Sequence, residues 1–222
     1  MNKARKRLRR DLALPRPTLA RLPLYYRRLM RALDEGTAVV SSQELGEAAG
    51  VPAAQARKDL CCVGDFGRPG VGYVADTLAE QLAEFLGLAA DKQAIVVGAG
   101  RLGQALAAYT GFTRYGLQVM ALFDISPSLF VQQPGQKPVL PMARLEEWFA
   151  THRVDVALIT VPAFAAQAVA DRLVTVGARA LWNFTPRELV VPPYVYVQSE
   201  DLGTRSALIS YHLRKQREEP EL

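Results

Sequence analysis

At 222 residues the chain has room for one or two domains, and with 50% hydrophobic and 22% charged residues it can bury a sizeable core. A formal net charge of +5 permits nucleic-acid binding without requiring it. No apolar run approaches the roughly 18 residues of a membrane span, and the first apolar stretch is broken by charges and prolines, so neither a span nor a secretory signal is expected and the protein reads as soluble and cytoplasmic.

The opening MNKARKRLRR carries six of the 27 Lys and Arg, and residues 1–17 read as a basic, flexible N-terminus. Leu22, Tyr26, Leu29 and Leu33 then recur at helical spacing, and Gly36 ends that helix. Ser41-Ser42-Gln43-Glu44 has the spacing of a capping box, which starts a second helix. Gly50-Val51-Pro52 breaks it, and a third helix is expected over Pro52 to Leu60. Cys61 and Cys62 follow. Adjacent cysteines supply neither a disulfide framework nor a metal site, and they read as small, half-buried residues near a helix end. The segment GDFGRPGVGY predicts a tight turn or hairpin, and Leu78, Leu82, Phe85 and Leu86 mark a further helix ending at Gly87.

Beyond a boundary placed between Gly87 and Gln93 the pattern changes. Short apolar runs at Ala94–Val97, Leu117–Phe123, Val154–Thr160, Ala180–Phe184 and Tyr194–Val197 read as buried strands. Helical stretches at Leu102–Tyr109, Leu145–Phe149 and Ala163–Val176 separate most of them, which implies an α/β fold with a doubly wound parallel sheet. The stretch from Ser126 to Pro141 reads as an irregular surface loop, and Asp201 to Arg217 as a terminal amphipathic helix.

Gly98-Ala99-Gly100-Arg101-Leu102-Gly103 is a G-x-G-x-x-G placed between a strand and a helix, the context a dinucleotide loop requires. Gly98 permits the turn, Gly100 the approach of a pyrophosphate and Gly103 close helix–strand packing, while the helix N-terminus offers free N–H groups to phosphate. Asp124 ends the next strand, 21 residues beyond Gly103, where a carboxylate accepts from ribose hydroxyls and repels a 2′-phosphate. NAD⁺ or NADH is therefore the expected ligand. Thr160-Val161-Pro162 and Asn183-Phe184 end later strands and are placed at the nicotinamide side. A dehydrogenase needs a positioned acid or base, yet His152 precedes a strand at the far edge of the sheet and His212 lies in the terminal helix. The cofactor is thus expected to be sensed rather than consumed, and no catalytic residue or metal site is assigned.

Ser42 to Leu60 reads as helix, short turn, helix, and the second helix carries Gln55, Arg57 and Lys58, side chains suited to base edges and phosphates in a major groove. The segment alone also fits a bundle that only dimerises. The glycine turn after it favours DNA, because Arg68 on a Gly-rich tip suits a wing in the minor groove.

These residues together resemble the redox-sensing transcriptional repressor family Rex. The resemblance rests on RLPLYYRRL (21–29), SSQELGEAAGV (41–51), QARKDL (55–60), GDFGRPGVGY (64–73), VGAGRLGQAL (97–106), FD (123–124), LITVPAFAAQAVADRLV (158–174), NFTP (183–186) and EDL (200–202). It covers nearly the whole chain from about Thr18. It implies a homodimer with winged helix domains over residues 18–87, Rossmann NAD(H) domains over 88–200, and a terminal helix and tail over 201–222 that swap to the partner. It further implies that the dimer binds double-stranded operator DNA with NAD⁺ or no ligand and releases it with NADH. By motif match, Ser41, Ser42, Gln55, Arg57 and Lys58 would face DNA, with Arg68 to Gly70 as wing, and Arg27, Tyr109 and Asp201 would form a polar switch. The chain departs from the family at Cys61-Cys62, where Ser and an aromatic residue are usual, at Ser126, where a second Asp is frequent, over 128–137, which lacks the usual Gly-rich hairpin, and at Leu202, where some members carry an aromatic residue.

Overall fold

The computed structural model describes residues 14–68, 70–130 and 136–218. Most of the basic N-terminus, Pro69 of the wing, part of the 126–141 loop and the last four residues lie outside them. The chain divides into two compact units between Ala90 and Asp91.

The first unit is mainly helical: α1 (Arg16–Asp34), β1 (Val39–Val40), α2 (Ser42–Ala49), α3 (Ala53–Val63), β2 (Tyr73–Val74) and α4 (Ala75–Phe85). Leu22, Tyr25 and Leu29 of α1, Leu45 of α2, Leu60 of α3 and Leu78 and Leu82 of α4 are fully buried and form its core. The capping box is present in full. Ser41 Oγ accepts from the Glu44 N–H at 3.2 Å, and Glu44 Oε2 accepts from the Ser41 N–H at 2.8 Å. Gly50 closes α2 in the left-handed region at φ 66°. A Cβ on Gly46 would run into the Val51 carbonyl and the start of α3, so a glycine is required where the two helices cross. The third helix runs to Val63, beyond the expected Leu60, which places Cys61 and Cys62 inside it. Cys61 is exposed rather than half-buried. Strands β1 and β2 pair antiparallel and, with a bridge between Arg68 and Gly72, shape the glycine segment into a wing.

The second unit comprises β3 (Lys92–Val97), α5 (Arg101–Ala108), β4 (Leu117–Asp124), β5 (Val139–Pro141), α6 (Leu145–Thr151), β6 (Val156–Ile159), α7 (Ala166–Thr175), β7 (Ala180–Asn183), β8 (Tyr196–Ser199) and α8 (Leu202–Glu218). The six strands pair in parallel in the order β5-β4-β3-β6-β7-β8. Strand order therefore reverses between β3 and β6, the switch point of a Rossmann fold. Apolar clusters cover both faces: Ile95, Phe123, Leu145, Ile159 and Leu173 on the side of α6 and α7, and Val96, Val119, Leu122 and Leu158 on the side of α5.

Two further expectations, both in the second unit, need correction. The stretch 126–141 is not wholly irregular, because Val139–Pro141 forms the edge strand β5. Three residues ending in proline give no period to read, and proline is tolerated at an edge, where its missing N–H is not needed. The last strand lies at Tyr196–Ser199, two residues later than the apolar run, since an edge strand half open to water carries polar residues such as Gln198. Among the described residues no helix is long and apolar enough to cross a membrane, and no group of three or more His, Cys, Asp or Glu is placed to hold a metal ion.

Candidate nucleotide site and nucleic-acid interface

At the carboxyl ends of β3, β4 and β6 lies a groove of about 750 Å³. Gly98 and Gly100, Asp124, and Thr160 to Pro162 line it, together with Ile125, Met142 and residues of α7. Gly98 has φ 103°, and a Cβ there would press on the Thr160 backbone. A Cβ on Gly103 would collide with the Gly98 carbonyl, which fixes the close approach of α5 to the loop. Thr160 Oγ1 ties the two strands at the switch point by donating to the Gly98 carbonyl at 2.8 Å. A Cβ on Gly100 would meet nothing within 4 Å, so the loop is open on the groove side where a pyrophosphate would approach.

Asp124 is held in place from the same loop. Its Oδ2 accepts from the Ala99 N–H at 2.7 Å and its Oδ1 from the Ser126 N–H at 2.9 Å. Each oxygen keeps a lone pair for a ribose hydroxyl. Arg101 and Leu102 form the exposed first turn of α5 and contribute backbone N–H groups there.

Asn183 and Phe184 are placed differently from the other expected residues, because neither is among those that line the groove. Asn183 is fully buried; its Oδ1 accepts from Thr185 N–H and Oγ1, and its Nδ2 donates to the Arg187 carbonyl. The side chain shapes the turn after β7. Phe184 packs against Trp182 with ring centroids 5.1 Å apart, on the α5 side of the sheet. His152 stacks on Trp148 at 3.7 Å at the end of α6 and is not among the residues lining the groove.

In the first unit Arg57 and Lys58 are exposed on α3. Arg57 Nη1 donates to Ser42 Oγ at 2.9 Å, so a guanidinium sits beside the N-terminus of α2, an arrangement suited to phosphate. Arg68 and Gly70 are exposed on the wing. Gln55 is half-buried, and its Nε2 donates inward to Asp59 at 3.0 Å.

Asp59 is the residue that sequence reasoning missed. It is 1% exposed and accepts from Thr18 Oγ1, Arg21 Nε and Nη2, and Tyr25 OH as well as from Gln55. Burial alone would raise its carboxyl; the Arg21 guanidinium, with Tyr25, Gln55 and Thr18, outweighs burial and holds it well below the usual carboxylate range. The available signal was a charged residue on the buried stripe of α3, beside Ala56, Leu60 and Val63.

The three expected switch residues stand on separate elements. Arg27 is exposed on α1 in the first unit. Tyr109, 60% exposed, follows α5, and Asp201 immediately precedes α8, where its Oδ1 accepts from the Gly203 N–H at 2.8 Å.

A winged helix-turn-helix unit followed by a Rossmann sheet with a dinucleotide-type loop defines the class: a DNA-binding regulator that carries its own nucleotide domain. Known proteins narrow it further. Residues 13–61 match the family "Putative DNA-binding protein N-terminus", and residues 89–187 match "CoA binding domain". The chain is 39% identical over 198 residues to the redox-sensing transcriptional repressor Rex of Caldanaerobacter subterraneus subsp. tengcongensis, spanning 89% of this chain and 88% of that protein. With Rex of Chloroflexus aggregans it shares 40% identity over 92% of this chain and 96% of the other. A crystal structure of RSP with β-NAD⁺ and operator DNA superposes with a TM-score of 0.85 at 36% identity, over 93% of this chain and 95% of that one. RSP with β-NADH gives 0.84 at 35% identity, over 93% and 97%. The chain belongs to the Rex family of redox-sensing transcriptional repressors. Both of these relatives are named as transcriptional repressors.

Proposed function

We propose that the protein is a cytoplasmic homodimer that binds double-stranded operator DNA with NAD⁺ or no ligand in its groove and releases the DNA when NADH binds. The observation that carries this reading is the joint presence, on one chain, of exposed Arg57 and Lys58 on a winged helix-turn-helix and of an open Gly98–Gly103 loop with Asp124 beside it. The related RSP has been crystallised both with β-NAD⁺ and operator DNA and with β-NADH.

Asp124 selects among adenine nucleotides. A carboxylate accepts from both ribose hydroxyls of NAD(H), whereas the 2′-phosphate of NADP and the 3′-phosphate of coenzyme A place negative charge against it. The backbone N–H groups from Gly100 to Gly103, at the start of α5, hold the pyrophosphate, those of Gly98 and Ala99 being engaged with Phe123 and Asp124, and Thr160 to Pro162 meet the nicotinamide half. Asn183 and Phe184 act through the shape of the turn after β7. On the DNA side Ser41, Ser42, Arg57 and Lys58 contact phosphates or bases, Gln55 a base edge, and Arg68 with Gly70 the minor groove. Asp201 exchanges partners between Arg27 and Tyr109 as the ligand changes. NADH shifts the equilibrium between the two states only by its differential affinity for them.

Fluorescence anisotropy of a labelled palindromic operator duplex, titrated with NADH and separately with NAD⁺, tests the reading. Release by NADH alone supports it. Binding that neither nucleotide alters removes the sensor, and no binding at low salt removes the repressor. An Asp201→Ala protein that still releases DNA normally would remove the switch.

A further inference from the structure

Gln55 and Asp59 lie one helical turn apart on α3, Gln55 half-buried and Asp59 almost fully so. A carboxylate only accepts hydrogen bonds, so the group that Gln55 turns toward it must be its NH₂. Asp59 is itself immobilised by Thr18 at 2.9 Å, by Arg21 through two nitrogens at 2.6 and 2.8 Å, and by Tyr25 at 2.7 Å, all from α1. The Gln55 amide is therefore anchored to a fixed point beneath the helix. When the N–H that points back along the side chain is bonded to Asp59, the second N–H and the carbonyl oxygen remain on the outer edge, one donor beside one acceptor. In the major groove that pair matches adenine, whose N7 accepts and whose N6 amino group donates, and no other base edge as well.

We propose that Asp59 is a positioning residue for base reading: it holds Gln55 so that a donor–acceptor pair faces the major groove and thereby sets adenine as the preferred base at one position of each half-site. This rests on the reading of α3 as the helix that enters the groove. A Gln55 released from Asp59 is free to turn its amide over and to accept from a cytosine amino group or donate to guanine, so the preference falls while the other contacts persist.

The test is selection of duplexes from a random-sequence pool by the full-length wild type and by Gln55→Ala and Asp59→Asn proteins, at matched salt. The wild type should demand adenine at one position per half-site, by on the order of tenfold. Gln55→Ala should lose that preference, and Asp59→Asn should lose most of it at the same position while keeping the preferences elsewhere. A change of fold alone would weaken every position together. An Asp59→Asn protein with the wild-type preference, or a Gln55→Ala protein that alters no position, overturns the proposal. A wild type that enriches no sequence overturns it together with the DNA-binding reading, whereas the two former outcomes leave that reading intact. Because Asp59→Asn risks losing the fold, the wild type supplies a second measurement. In the nitrogen-15-labelled protein the side-chain NH₂ signal that disappears in Gln55→Ala should show one proton protected from exchange and one not. Equal and fast exchange of both protons also overturns it.

Discussion

Asp124 spends one lone pair of each oxygen on the loop, at Ala99 and Ser126, and has one on each left for a ligand. Replacement by Asn removes the charge and one acceptor while nearly keeping the shape. Charge-assisted hydrogen bonds contribute about 1.5–3 kcal/mol, so the Kd for NADH should rise roughly tenfold or more, while NADPH binding should tighten because the repulsion is gone. Calorimetric titration with both nucleotides decides it, and unchanged discrimination would remove Asp124 from the site. This residue was legible in the sequence because its meaning is local: a loop, a helix start and an acid at a set distance. Asp59 was not, because its partners Thr18, Arg21 and Tyr25 stand 34 to 41 positions earlier in the chain. Asn183 was legible as the end of a strand but not as a residue wholly engaged by its own turn, since that depends on where Arg187 folds back.

Among the elements, α8 departs most from its sequence reading. One apolar face was expected. At 100° per residue, however, Leu202, Ile209 and Leu213 fall on one side and Leu208 and Tyr211 on the opposite side, and all five are at least half exposed. Two opposed apolar faces fit a helix covered from both sides, which is what an exchange with a second copy provides. Ile209→Glu should therefore leave the far-ultraviolet spectrum of each protomer nearly unchanged, because the side chain is 62% exposed. It should weaken dimerisation by on the order of a hundredfold, as loss of a central apolar contact does. Sedimentation velocity over a concentration series reads this directly, and a dimer of wild-type strength would exclude α8 from the interface. The same contrast separates β3 and β4, whose buried apolar runs announced them, from β5, whose existence depends on pairing with β4 rather than on its own three residues.

For the molecule as a whole, the two units should respond differently to acid. The first contains the almost fully buried Asp59, held well below the usual carboxylate range. A depressed folded-state pKa means stability that is complete above the unfolded value near 4 and is lost as pH falls through the folded value. The unfolded chain takes up the proton first, so the first unit weakens progressively below about pH 4. Among the described residues of the second unit the strongly shifted carboxyl is Glu146, lowered to about 2 by Arg172 on the surface, where solvent screens the pair and leaves little stability at stake. Both tryptophans, Trp148 and Trp182, belong to the second unit, which allows the units to be followed separately. On acid titration, helical signal in the far ultraviolet should start to fall at a higher pH than the tryptophan emission shifts. Asp59→Asn, which has no carboxyl to protonate, should be less stable at neutral pH and should show a flatter dependence below pH 4. Coincident transitions in the wild type would mean that Asp59 does not govern the acid response and that the two units unfold as one.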